Sequence, residues 1–81
     1  MDGNTRHRES GMKYREVAAK LQKLGCVEIP RRSAGSHRKW HNPQKQKVAP
    51  VPDWGHKDLK LGTVRAIVRQ LDLDWEAFKN A

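Results

Sequence analysis

The residues that decide the fold run from Cys26 to Pro52 and read CVEIPRRSAGSHRKWHNPQKQKVAPVP. Three segments in this stretch show the alternation or composition of short β-strands, at Cys26–Pro30, His37–His41 and Lys47–Pro52. The Asn-Pro-Gln-Lys run at 42–45 is a turn sequence. Because the loops between the segments have hairpin length, we expect an antiparallel three-stranded sheet, with the proline-containing third strand at an edge.

Amphipathic helices are predicted on both sides of this stretch. Apolar residues recur at helical spacing before it, at Tyr14, Val17, Ala18, Leu21 and Leu24, and after it, at Leu61, Val64, Ile67, Val68 and Leu71. Gly25 stands where the cap that ends a helix belongs, and Asp74 is a candidate N-cap for a final short turn. The predicted fold class is therefore α+β, in the order helix, three strands, helix. Both helices should pack on one face of the sheet and leave the other face open and largely polar.

The length and the net charge of the chain limit the number of domains and the kind of partner that it can bind. The chain has 81 residues, with 17 Lys and Arg against 9 Asp and Glu, and a formal net charge of +8. This length fits one small domain, and the charge favours a polyanionic partner such as the phosphates of a nucleic acid. Residues 1–11 lack hydrophobic periodicity and are predicted to be a disordered leader or cloning remnant, which leaves residues 12–81 as a single domain.

The cysteine count and the hydropathy of the chain exclude disulfide-bonded, cysteine-rich metal-binding and membrane-spanning proteins. Cys26 is the only cysteine, which excludes an internal disulfide and a Cys-rich metal site, and we expect it to be a small buried hydrophobe. No apolar run approaches the roughly 18 residues of a transmembrane helix, and no signal peptide is recognisable at the start. We therefore expect a cytoplasmic protein that does not bind membranes.

Strand alternation gives the second strand two different faces. Arg38 and Trp40 share one face, whereas His37, Lys39 and His41 share the other. If Trp40 packs in the core, His37 faces solvent. Two histidines four residues apart can share one zinc ion only on a helix. On a strand they stand about 13 Å apart, which is too far to share an ion. We therefore expect no metal site and no cofactor.

A basic stretch surrounds this histidine. No carboxylate lies between Glu28 and Asp53, whereas six cations do: Arg31, Arg32, Arg38, Lys39, Lys45 and Lys47. A solvated charged face is the plain interpretation, and a surface that binds nucleic acid is the functional one. The functional interpretation gains support from the small-residue loop ending in Gly35-Ser36, which leads into His37. The backbone at Gly35 can approach a phosphate closely, and Ser36 adds a hydroxyl.

An exposed histidine on a basic surface suits RNA cleavage. Its unperturbed pKa of about 6.5 allows proton transfer near neutral pH. RNA supplies its own nucleophile, the 2′-hydroxyl, so one histidine with neighbouring cations would suffice without a metal. A simple contact between His37 and nucleic acid, without catalysis, is the alternative.

Two segments resemble the HicA family of toxins, small mRNA interferases that are paired with HicB antitoxins. The first is Gly35-Ser36-His37, followed by Trp40 and His41-Asn42-Pro43. The second runs from Val51-Pro52 through Gly55-His-Lys-Asp-Leu59 to Gly62-Thr63-Val64-Arg65-Ala66-Ile67 and Arg69-Gln70. The resemblance covers about residues 12 to 78. Family members commonly have His-Gly before the second helix, whereas this chain has Trp54-Gly55, so the resemblance assigns no role to His56.

The resemblance implies a double-stranded-RNA-binding-domain-like fold, a histidine essential for RNA cleavage, which is His37 here, and a HicB-like antitoxin that covers the active surface. The resulting prediction is a metal-independent endoribonuclease toxin acting on mRNA, with His37 as general acid or base. The predicted substrate-binding residues are Gly35, Ser36, Arg38, Lys39 and Lys47. The alternatives are a non-catalytic RNA-binding module and a protein that chiefly binds an acidic partner. We expect the free protein to be a monomer.

Overall fold

The computed structural model describes residues 11–30, 37–53, 55 and 57–81. Its elements in chain order are β1 (Gly11–Lys13), α1 (Tyr14–Lys23), β2 (Val27–Ile29), β3 (His37–Asn42), β4 (Lys47–Pro52), β5 (Asp58–Lys60), α2 (Leu61–Gln70) and α3 (Trp75–Lys79). Strands β2, β3 and β4 form an antiparallel sheet in that order. The predicted α+β class and the double-stranded-RNA-binding-domain-like arrangement are confirmed.

The three-stranded sheet has the predicted edge and turn. Strand β4 lies at an edge and has the predicted bounds, while β3 extends one residue further than predicted, to Asn42. The main-chain oxygen of Asn42 accepts from the amides of Lys45 at 3.2 Å and Gln46 at 2.8 Å. These bonds close the β3–β4 hairpin and fix its register.

Both long helices cover one face of this sheet, as predicted. Trp40, Ala49 and Val51 point from β3 and β4 into a core that they share with fully buried residues of the helices, among them Val17, Leu21 and Val64, and with Leu71 directly after α2. The indole nitrogen of Trp40 donates to the hydroxyl of Tyr14 at 3.0 Å, so the one polar group of this buried ring has a hydrogen-bond partner. Cys26 is buried in the same core, as predicted, and burial raises the pKa of its thiol.

The helix ends follow the sequence signals. Gly25 follows helix α1 and its cap residue Leu24 at φ +92°, and the amides of Gly25 and Cys26 donate to the carbonyls of Gln22 at 3.0 Å and Leu21 at 2.9 Å. This pair of bonds is a Schellman motif, which favours glycine at this position. The predicted final turn is helix α3, and the carboxylate of Asp74 caps it by accepting from the Ala77 amide at 2.9 Å.

A second, two-stranded sheet was not predicted. Strand β1 pairs antiparallel with β5, and the pairing joins Gly11 to Lys60. Each strand has three residues, too few for an alternation pattern to be recognised. A Cβ on Gly11 would stand 1.8 Å from the Leu59 oxygen, so only glycine fits this close approach. Gly11 thus belongs to the fold, whereas the rest of the predicted leader lies outside the described residues.

Candidate nucleic-acid interface

The face of the three-stranded sheet opposite the helices carries the candidate site. The register of the strands places two rows of residues across this open face: Val27–His41–Val48 and Ile29–Lys39–Pro50. Side chains in such rows are about 5 Å apart between neighbouring strands. Lys39 and His41 therefore form a polar column along the central strand, as strand alternation predicted.

The flanks of this open face are apolar, and the expectation of a largely polar face is wrong for them. Val27 is 52% exposed and Val48 is 43% exposed, and Pro50 is also exposed. No helix covers these side chains because both long helices pack on the other face. Exposed apolar residues beside a cation favour an interaction surface over a simple solvated face.

His37 opens the central strand. Its backbone pairs with Pro52 and stands two residues before Lys39, so it has the strand parity of Lys39 and His41. The His37 side chain lies outside what the structure describes, and so does the 31–36 segment with Gly35 and Ser36. Their predicted roles stay predictions. Trp54 and His56 also lie outside the described residues.

Arg38 has a different environment from the one expected of an RNA-binding cation. Its Nη1 donates to Oε2 of Glu28 at 2.7 Å, and its Nε donates to Oδ2 of Asp53 at 2.7 Å. The guanidinium also lies over the Tyr14 ring, 5.5 Å from its centroid. Hydrogen bonds to Glu28 and then to Asp53 raise the pKa of Arg38 above its usual range. Glu28 and Asp53 stand directly before and after the basic stretch in the sequence, and in the structure both pair with Arg38 inside it.

This ion-pair cluster positions the strand that His37 opens. Glu28 belongs to β2, Arg38 to β3, and Asp53 follows β4 directly, so Arg38 links all three strands of the sheet. Burial raises the pKa of the Tyr14 phenol, whose hydroxyl accepts the hydrogen bond from Trp40. The sequence contained a signal for the cluster: in an alternating strand, Glu28 lies on the face opposite Val27 and Ile29.

Lys47 lies at the other end of the β3–β4 hairpin. It pairs with Asn42, whereas His37 pairs with Pro52. Five residue steps along β3 separate these two pairs, or about 16 Å. Lys47 also has the strand parity of Asn42, whose side chain is buried on the helix side. The structure therefore brings Lys39 close to His37 along the chain but does not bring Lys47 to them.

The described part of the chain contains no cluster of three or more His, Cys, Asp or Glu residues arranged to hold a metal ion. In the same part, no helix has the length and apolar character needed to span a membrane.

The family model for the HicA toxin of bacterial toxin–antitoxin systems matches residues 14–73, from the start of α1 to beyond the end of α2. The chain belongs to the HicA toxin family. The matched region contains the whole three-stranded sheet and its open face, and the resemblance stated from the sequence is confirmed. A comparison with curated proteins finds no match. HicA proteins are toxins that are generally ribonucleases, and membership implies an antitoxin partner.

Proposed function

We propose that this HicA protein is a metal-independent endoribonuclease that cleaves mRNA on the open face of its three-stranded sheet. The observation that carries the proposal is the register of β3. It gives the His37 backbone the parity of Lys39 and His41, whose side chains lie on a face that the helices leave uncovered. A proton-transfer residue and a cation are then available to the same phosphate group.

The proposed reaction uses the RNA's own nucleophile. The 2′-oxygen forms a bond to phosphorus while the bond to the 5′-oxygen of the next nucleotide breaks. The 2′-hydroxyl loses its proton to a base, and the leaving 5′-oxygen gains one from an acid. His37 performs one of these two transfers, water performs the other, and Lys39 stabilises the charge that develops on the phosphate. The products are a 2′,3′-cyclic phosphate and a 5′-hydroxyl.

The other predicted site residues bind or position rather than react. Gly35 and Ser36 orient the phosphate through a backbone amide and a hydroxyl. The exposed side chains of Val27 and Val48 lie on either side of His41 and provide apolar contacts for bases. Arg38 acts through the sheet, because its guanidinium is paired with two carboxylates.

An antitoxin would neutralise this activity by covering the same face. Val27 and Val48 are exposed, and a partner protein that buried them would gain hydrophobic contact while it excluded RNA from His37. We therefore assign the HicB-like partner to the open face in the inhibited complex.

The test is cleavage of a defined RNA in excess EDTA by the wild type, His37→Ala and a control, Lys23→Ala, on the exposed side of α1. We expect His37→Ala to lower the rate by at least about 100-fold and the control to leave it unchanged. RNA methylated at the 2′-oxygen should resist the wild type.

Three results would contradict the proposal. Equal cleavage by wild type and His37→Ala removes His37 from the chemistry. Loss of cleavage in EDTA, restored by a divalent cation, shows a metal requirement. Salt-dependent RNA binding with no 5′-hydroxyl product shows a non-catalytic RNA-binding module instead.

A further inference from the structure

A second candidate surface lies in the helix layer, between α2 and α3. It is a groove lined by Arg65, Val68, Arg69, Leu73 and Trp75. Val68 is buried at its floor, Leu73 and Trp75 are half-buried, and both arginines are exposed at its rim. Because α2 packs on the covered side of the sheet, this groove lies on the opposite side of the sheet from the open face.

Packing holds one of the rim arginines in place. The Arg65 guanidinium lies over the Trp75 ring, 4.7 Å from its centroid. Trp75 in turn stacks on the buried Phe78, with 5.7 Å between ring centroids and 21° between planes. A guanidinium stacked in this way keeps its in-plane N–H donors free, in the geometry that suits a carboxylate. Arg65 is therefore pre-organised to bind an acidic group.

The carboxylates near the groove are already engaged. Asp72 pairs with Lys45 at 3.7 Å, and Glu76 pairs with Lys79 at 3.4 Å. Asp74 caps α3. Within the part of the chain that the structure describes, neither rim arginine has a carboxylate partner, so their charge remains available to a ligand.

We propose that this groove binds an acidic helical segment of a partner protein. Arg65 and Arg69 are one helical turn apart, so two carboxylates one turn apart on the partner would pair with them. An aliphatic side chain on the same face of the partner then packs on Val68 and Leu73. Arginine and tryptophan are the residue types that most often dominate such binding energies.

The groove fits a peptide better than RNA. Phe78 stacks on Trp75 and Arg65 lies over the Trp75 ring, so both contacts compete with a base for this aromatic surface. The floor is aliphatic, which favours a Leu or Ile side chain. A partner held here leaves the open face of the sheet uncovered, so this docking site is separate from the proposed site of cleavage and does not depend on it.

The test uses a fluorescent, alanine-rich helical peptide with Glu, Glu and Leu at four-residue spacing, titrated with the protein at near-physiological salt. Arg65→Gln/Arg69→Gln should weaken binding by about tenfold or more. The matched control Arg15→Gln/Lys23→Gln removes the same charge from exposed positions of α1 and should change binding by less than about twofold. Circular dichroism checks that both variants fold.

Charge reversal sharpens the result. A peptide with Lys in place of both Glu residues should bind Arg65→Glu/Arg69→Glu and not the wild type. Equal weakening in the groove and control variants, or no saturable binding, overturns the proposal. So does a single-stranded RNA octamer that loses affinity in the groove variant when the peptide does not. RNA cleavage by Arg65→Gln/Arg69→Gln is measured separately, so failure of this inference is distinguishable from failure of the proposed function.

Discussion

Asn42 is the buried polar residue of the described core, and its replacement should destabilise the fold. It is 2% exposed, and its Nδ2 donates to the carbonyl oxygen of Leu71 at 2.7 Å. Its Oδ1 accepts from the Gln44 amide at 3.2 Å. One side chain therefore joins the β3–β4 hairpin to the C-terminal end of α2.

The expected loss of stability follows from these two hydrogen bonds. Asn42→Ala removes both, each worth about 1 kcal/mol net, and leaves a buried Leu71 carbonyl without this donor, which costs about 1–3 kcal/mol when nothing replaces it. We expect a loss of about 2–3 kcal/mol in the free energy of unfolding. For a domain of this size that is a fall of roughly 10–20 °C in melting temperature.

Asn42→Asp separates the hydrogen bond from the shape of the side chain. The introduced carboxylate faces the Leu71 carbonyl, cannot donate to it when ionised, and is buried. Both effects raise its pKa in the folded state. The stability of this variant should therefore be greatest below the unfolded pKa of about 3.9, after correction for the wild-type pH profile, and fall as pH rises through the folded pKa. At pH 7 it should be no more stable than Asn42→Ala.

Urea denaturation of the three proteins at several pH values measures these differences. Gln70→Ala is the control, because Gln70 makes one long, exposed bond of 3.3 Å to the Val48 carbonyl and should cost less than about 0.5 kcal/mol. A loss of stability in Asn42→Ala no larger than in this control, or the same pH dependence in Asn42→Asp as in the wild type, would refute the role assigned to the Asn42 side chain.

Two further pairs of substitutions test the backbone after α2 and the placement of cations on the sheet. Asp72 follows α2 at φ +58°, so Asp72→Gly should stabilise the protein by about 0.5 kcal/mol despite the loss of its ion pair with Lys45, whereas Asp72→Ala should destabilise it in the same urea assay. Lys39→Gln should lower the salt slope of RNA binding by about one, and Lys47→Gln should lower it by less than half as much. Equal slopes for both lysine variants would contradict the placement of the site near the start of β3.

The pattern of the sequence predicted the strands and helices well because the chain follows local rules in the matched region. The alternation around Trp40 gave the correct faces of β3, and Gly25 and Asp74 marked helix ends correctly. Strand β1 was missed because its three residues make sense only against β5, which is 45 residues away between Lys13 and Asp58. Such pairings depend on tertiary structure, and no local pattern carries them.

The candidate site was harder to predict because charge along a chain is not charge in space. Along the chain Arg38 lies in a stretch without carboxylates, whereas in the structure the flanking carboxylates Glu28 and Asp53 pair with it. Lys45 similarly pairs with Asp72. The two ends of a six-residue strand are also farther apart than neighbouring phosphates of a nucleic acid. Lys47, which pairs with the last residue of β3, therefore does not lie beside Lys39 near its start.

Strand β3 links the stability of the fold to its proposed chemistry. Arg38, Trp40 and Asn42 alternate with the residues of the open face, and each makes a specific contact on the helix side. A slip of one residue in register would move every side chain to the opposite face. These three contacts therefore oppose such a slip and stabilise the arrangement of the open face, although none of them lies on that face. It follows that substitutions at Trp40 or Asn42 should reduce RNA cleavage through the register and stability of β3, although neither residue is on the open face.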